Sequence, residues 1–293
     1  MTDTVLVTGA AGAIGTRLLP VLRERGWRTR ALVHRRPVEG ADEQSPGGLA
    51  DADSLRAAVD GARAVVHLAA VTHARREHQY MAVNVAGTEH LLDAATQAGV
   101  ARFVYVSTRA ASAAGGWYSR SKLEAERRVA GSGLDTVIVR LPEVYGAGGR
   151  EGVDGMLDRA VRGRPIPVVG SGDDVLCPLH VDDAVVALAG ALEAPRAAGR
   201  TYTLAGECRS ARAVAEACAV AAGGRSRVVS VPIALVRAAS VAARVVPLPL
   251  YPDQLARLQA EKPSPSPDAA TDLGMHTRRL DTGLRVSARG ASQ

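Results

Sequence analysis

Apolar positions in the first half of the chain gather into five short runs: "TVLVTG" (4 to 9), "RTRALVH" (28 to 34), "AVVHLAA" (64 to 70), "ARFVYVS" (101 to 107) and "DTVIVRL" (135 to 141). Their length and near-continuous hydrophobicity predict parallel strands buried on both faces. The segments between them change period. "AIGTRLLPVLRER", "DADSLRAAVDG", "NVAGTEHLLDAATQAG" and "SRSKLEAERRVAG" repeat apolar residues every three to four positions, as amphipathic helices do. Strands and helices alternating at this spacing predict an α/β fold, a doubly wound parallel sheet.

After about residue 145 the rhythm loosens into Gly- and Pro-bearing loops. A helix is predicted over "DDAVVALAGALEA" (182 to 194) and a strand over "RTYTLAG" (200 to 206), so this part partly rejoins the sheet. The expected division is therefore residues 1–145 as the sheet domain and 146–293 as a smaller, mainly substrate-binding C-terminal region. The apolar stretch 228 to 250 is long enough to span a bilayer. Arg237, Arg244 and three prolines interrupt it, which predicts instead a helix packed on the protein at an entrance or interface, and no membrane span.

Chemistry enters at the first strand end. "VTGAAGAIGTRLL" places Gly9, Gly12, Ala13, Ile14 and Gly15 between strand and helix, where glycines permit a tight turn and backbone N–H groups meet a pyrophosphate at a helix N-terminus. The second strand ends in His34, Arg35 and Arg36 rather than an acid. Guanidinium groups suit a 2'-phosphate, so NAD(P) binding is expected, with NADP(H) favoured over NAD(H). The competing reading is a solvated basic turn.

With "TGAAGAIG", "HLAA" (67 to 70), "NVAGT" (84 to 88), "YVST" (105 to 108), "YSRSK" (118 to 122), "RLPEVYG" (140 to 146) and "HVDDA" (180 to 184) in this order, the sequence resembles the short-chain dehydrogenase/reductase superfamily. The likeness is to its extended epimerase/dehydratase type and implies a Rossmann fold. It also implies that Leu68, Ala69 and Ala70 line the adenosine side, that Pro142 and Val144 approach the nicotinamide, and that Asn84 contributes to the cofactor site or merely opens a helix.

Tyr118 and Lys122 stand four apart in a predicted helix and so share a face. A free phenol is a poor base near neutrality, and a neighbouring ammonium stabilises its phenolate. The resemblance assigns Tyr118 the proton transfer, Lys122 the nicotinamide ribose as well, and Thr108 a hydrogen bond to the same substrate oxygen. Family dehydratases carry an Asp-Glu pair after the Thr; Arg109 and Ala110 stand here, which argues against elimination chemistry. An Asn and an Arg that hold a diphosphate in nucleotide-sugar enzymes are matched by Glu143 and by Leu176 or Cys177. The loop "RAASAAGG" is short, predicting an open pocket, for which Arg109, Trp117, Glu143, Tyr145, His180 and Tyr251 are candidate substrate contacts. For the aromatic and histidine positions, core packing is the rival reading.

Composition narrows the partners. A net charge of +6 and a pI near 9.6 come from interleaved Arg, with no long basic run and few aromatics, so no nucleic-acid partner is expected. Cys177, Cys208 and Cys218 lack close spacing, which predicts buried thiols, no disulfide framework and no metal. No secretory signal is visible at the start, which predicts a cytoplasmic protein. The leading expectation is an NADP(H)-preferring oxidoreductase interconverting a secondary alcohol and a ketone on a small-molecule substrate. A redox-neutral sugar epimerase and a non-catalytic dinucleotide-binding protein are the alternatives, and the resemblance implies a homodimer.

Overall fold

Alternate residues of a strand point to opposite faces, and in this chain both faces are apolar. Val5, Val7, Val104 and Val106 bury one way while Leu6, Val65, Phe103 and Tyr105 bury the other. A computed structural model describes residues 2–149, 151–242 and 253–291; Tyr251 and Arg244 lie outside the described residues.

The N-terminal half runs β1 (Thr4–Thr8), α1 (Ala13–Glu24), β2 (Arg28–Val33), β3 (Glu43–Pro46), α2 (Ala52–Val59), β4 (Ala64–His67) and α3 (Glu77–Tyr80). A π-helical turn, Met81–Ala86, joins α3 to α4 (Gly87–Gln97), and β5 (Arg102–Thr108), α5 (Gly116–Ala130) and β6 (Thr136–Leu141) follow. Beyond it come β7 (Val144–Tyr145), α6 (Gly152–Val161), β8 (Ile166–Val169), β9 (Val175–Leu176), β10 (Leu179–His180), α7 (Val181–Glu193) and β11 (Thr201–Thr203). The rest is β12 (Arg209–Ser210), α8 (Ala211–Ala221), β13 (Val228–Val231), α9 (Ile233–Ala242), α10 (Gln254–Gln259), α11 (Ala269–Leu273) and α12 (Leu280–Ala291).

Seven strands pair in the order β11-β6-β5-β4-β1-β2-β3, all parallel. Helices α1, α7 and α11 contribute to the core on one face, and α2, α4 and α5 to the core on the other, giving the doubly wound, Rossmann-like architecture expected. A third apolar cluster joins α6, α8 and α12 around Tyr145 and Ile166. Arg25 and the indole N–H of Trp27 both reach Glu193, tying α1 to α7 at 2.7 and 3.1 Å.

Two elements depart from the sequence expectations. β3 has the sequence "EQSP" and alternates between half-buried and exposed, so as an edge strand it carries no apolar run to betray it. The stretch from 228 is not one helix: β13 pairs with β8, Pro232 ends it, and α9 begins at the next residue.

Candidate active site

Strand order reverses between β1 and β4, the point at which a doubly wound sheet opens a crevice at its carboxyl edge. Thr8 is level with His67, His67 with Tyr105, and Thr108 with Leu141, so the residues that follow these strands share one edge. Gly9 has φ +70°, and a Cβ there would stand 2.7 Å from the Ala69 amide nitrogen. At Gly15 a Cβ would stand 2.6 Å from Ala10 Cα and from the Gly9 and Ala10 carbonyls, so this glycine lets α1 lie against the strand end. Gly12 is different. A Cβ would meet only the Gly9 carbonyl, at 3.1 Å, and the site is exposed. No side chain caps α1 and no acid occupies its first turn, leaving the N–H groups from Ala13 onward and the helix dipole available to an anionic ligand. The turn therefore fits the pyrophosphate of a dinucleotide.

His67 fixes the neighbouring wall. The Thr88 hydroxyl donates to the Asn84 carbonyl at 2.8 Å, so it accepts from His67 Nε2–H at 3.0 Å. Nδ1 is then the acceptor for the Thr8 hydroxyl at 2.6 Å, and Thr8 Oγ1 accepts the Ala69 N–H at 3.2 Å. Burial, aided by the charge of Lys122, pushes the His67 pKa down to about 3, which keeps the imidazole neutral in this chain of bonds. Leu68, Ala69 and Ala70 emerge half-buried at its end. Asn84 is fully engaged inside: its amide donates to the Val71 carbonyl and to Ser121 Oγ, both at 3.0 Å, and its oxygen accepts the Val71 N–H at 2.8 Å. Ser121 in turn donates to the Tyr118 carbonyl. The π-helical turn that carries Asn84 thus braces the loop after β4 against α5.

Tyr118 and Lys122 lie one turn apart in α5 and are both buried, with Thr108 half-buried at the end of β5. Burial raises the Tyr118 pKa, and a hydrogen bond with Thr108 acts in the opposite direction. The Ala110 N–H donates to Thr108 Oγ1 at 3.2 Å, leaving that hydroxyl's own proton to point elsewhere. Lys122 Nζ donates to the Val106 carbonyl at 2.8 Å and lies 4.1 Å from the centre of the Tyr105 ring. Desolvation brings its pKa down to about 7 against the opposing pull of Glu126. Glu126, one turn further along α5, accepts from Ser107 at 2.5 Å and from Arg140 at 2.9 and 2.5 Å, a buried ion pair beneath the site. The sequence reading missed it, although Lys122 and Glu126 show the four-residue spacing that would have found half of it.

The C-terminal region roofs this centre. Asp253 is buried, its Oδ2 accepting the Tyr118 N–H at 3.1 Å and its Oδ1 the Tyr80 hydroxyl at 3.3 Å, so it caps the first turn of α5. From α10 the Arg257 guanidinium lies 5.1 Å from the centre of the Tyr118 ring, where it lowers the phenol pKa against burial. Arg257 makes no ion pair among the described residues. No local motif signals either contact.

The candidate substrate contacts separate into two groups. Trp117 is half-buried and packs with Val71, Ala74, Tyr80 and Tyr118 beside the centre. Arg109 is buried, donating from Nε to the Pro263 carbonyl at 3.1 Å and from Nη1 to Cys177 Sγ at 2.8 Å. Glu143 accepts the Cys177 N–H at 3.3 Å and pairs with Lys262 at 3.6 Å, while Pro142 and Val144 beside it are half-buried. Tyr145 and His180 are buried edge to face, and His180 Nδ1 accepts the Asp182 N–H, capping α7. Their positions are those of core residues.

The cysteine expectation needs correction. Cys218 is a buried free thiol, its pKa pushed up to about 12 by burial. Cys177 and Cys208 instead form a disulfide across 31 positions of sequence. Antiparallel pairing of β9 with β12 and the Gly206 N–H bond to the Cys177 carbonyl bring the two loops together, a tertiary contact invisible to spacing rules. At the far side of the crevice, His34, Arg35 and Arg36 follow β2 exposed, and Arg35 and Arg36 form no ion pair among the described residues.

A parallel sheet with a glycine turn at its switch point and a hydroxyl, phenol and amine along the same edge defines a dinucleotide-dependent α/β enzyme. Residues 5–205 match the NAD dependent epimerase/dehydratase family, and the chain belongs to it. Among solved structures, MoeE5 in complex with UDP-glucuronic acid and NAD is 25% identical, with a TM-score of 0.80 over 99% of this chain and all of that one. UDP-glucose 4-epimerase from Thermotoga maritima, solved with UDP-glucose, shares the fold at 20% identity, with a TM-score of 0.78 over 98% of this chain and 97% of its own. Ceramide reductase of Caulobacter vibrioides is 30% identical over 189 residues. That match spans 63% of this chain and 59% of the relative, less than two thirds of its length.

Proposed function

We propose that the chain is an NADP(H)-preferring oxidoreductase that interconverts a ketone and a secondary alcohol. The observation that carries this reading is the end of β2: exposed Arg35 and Arg36, with no carboxylate between Val33 and Val38, suit a ribose 2'-phosphate. Net reduction further requires that the cofactor exchange between turnovers. The ceramide reductase likeness supports the redox assignment.

When bound, the nicotinamide supplies the hydride. Tyr118 gives its phenolic proton to the substrate oxygen as negative charge develops there, and Thr108 donates a second hydrogen bond to that oxygen. Lys122 and Arg257 offset the phenolate left behind, Lys122 held in place by Val106 and Glu126. Gly12, Ala13 and Ile14 would hold the pyrophosphate. Arg109 and Glu143 are satisfied internally, Arg109 against Pro263 and Cys177 and Glu143 against Lys262 and Cys177, so neither forms a clamp for a nucleotide diphosphate.

The second reading, a sugar epimerase with retained NAD, draws support from the near full-length match to MoeE5. The two separate in one experiment. Stoichiometric NADPH consumption against ketone supports the reductase; turnover of a nucleotide sugar without added cofactor, on protein purified with NAD bound, overturns it. Tyr118→Phe should abolish turnover and spare NADPH binding.

A further inference from the structure

We infer that α9 is a docking face for an anionic phospholipid surface, from which an amphiphilic substrate enters the Tyr118 site. The substrate clause rests on the proposed reductase; the docking does not. A helix on the surface of a water-soluble domain normally turns polar residues outward. α9 does the reverse. Among its described side chains the exposed ones are Ile233, Ala234, Leu235, Arg237, Ala238 and Ala242, with Leu235 62% exposed and Arg237 the one polar side chain among them.

Charge selects the occupant. Between Glu216 and Asp253 the chain has Arg225, Arg227, Arg237 and Arg244 and no acidic residue. Arg225 and Arg227 are exposed on the loop leading into β13, which also exposes Val229. An apolar helix face carrying Arg237, in a segment whose other charged residues are all arginines, suits an anionic lipid headgroup layer: acyl chains take the aliphatic side chains, and phosphates the guanidinium groups. No described helix is long and apolar enough to cross a membrane, so the contact is interfacial.

Position links the face to catalysis. α9 packs on α10, α10 packs on α5, and α10 carries Arg257 over Tyr118. The helix that would enter the headgroup layer is thus one element removed from the reacting phenol, and a long-chain ketone would reach it without crossing bulk water.

The test is co-sedimentation of the full chain with phosphatidylcholine vesicles, with and without phosphatidylglycerol, at low and high salt. Binding to the anionic vesicles, weakened by salt, by about five-fold in Arg237→Gln and more in Leu235→Asp, supports the inference. These positions are exposed and lie outside the catalytic machinery, so NADPH oxidation with a water-soluble ketone should be unchanged in the variants. Equal binding to neutral and anionic vesicles overturns it, as does no binding to either or retained binding by Leu235→Asp. If Leu235→Asp instead changes the oligomeric state in solution, the face is a contact between copies of this chain and the inference also fails. Sedimentation needs no substrate, so its failure and that of the reductase assignment remain distinguishable.

Discussion

Replacing Arg257 by Gln removes the guanidinium that lies over the Tyr118 ring. With its pKa near 7, Lys122 loses most of its charge above neutrality, whereas a guanidinium stays charged throughout. A unit positive charge about 5 Å from a developing phenolate is worth about 1 to 2 kcal/mol at an effective dielectric of about 30 to 60, or roughly 5- to 30-fold in kcat/KM. The sign follows from the charge: without Arg257 burial raises the phenol pKa further, because the cation opposed it. In the direction of alcohol oxidation, which needs phenolate, Arg257→Gln should therefore lose activity at neutral pH and recover it as pH rises. Arg257→Lys should fall between the two. The assay is the initial rate of NADP+ reduction against pH for the three proteins, with NADPH affinity measured by fluorescence. An unchanged pH profile in Arg257→Gln, even with reduced activity, would refute the electrostatic role and leave only packing.

Three further outcomes follow from the geometry. Lys122 is buried with a depressed pKa, so the folded state binds fewer protons than the unfolded one between about pH 7 and 10.5, and its charge opposes folding most at and below pH 7. Lys122→Met should abolish turnover yet be more stable than the parent by a few kcal/mol near pH 6, with the gap closing toward pH 10.5; equal urea midpoints at both pH values would disprove the assignment. Gly12→Ala should keep the melting temperature and lose cofactor affinity, whereas Gly15→Ala, facing backbone at 2.6 Å, should lose both; calorimetry with and without NADP+ separates them. Cys208→Ser should destabilise the oxidised protein by about 2 to 4 kcal/mol and have no effect under reducing conditions, as read from denaturation with and without dithiothreitol.

Legibility in the sequence tracked how local each signal was. Five sheet strands announced themselves because both faces are buried, and the Tyr118–Lys122 pair because residues four apart share one face of a helix. β3 stayed silent because an edge strand can be polar. Asp253 and Arg257 stayed silent for another reason: they meet Tyr118 from more than 130 positions away, through the packing of α10 on α5. The same holds for the Cys177–Cys208 bond. Asn84 was legible as a residue and less so as a role, since its amide is spent on Val71 and Ser121. The disulfide also bears on the expected cytoplasmic location, because such bonds persist chiefly in oxidising compartments.

β11 closes one edge of the sheet from deep in the C-terminal half, pairing Thr201–Thr203 with Ile138–Arg140. Cut before it, the N-terminal half would present β6 as an unpaired apolar ribbon, the kind of edge that recruits other chains. A chimera that exchanges C-terminal segments must therefore keep α7 and β11 with the seven-stranded sheet and splice in two places. During synthesis, the sheet cannot complete itself until Thr203 has emerged, long after its other strands.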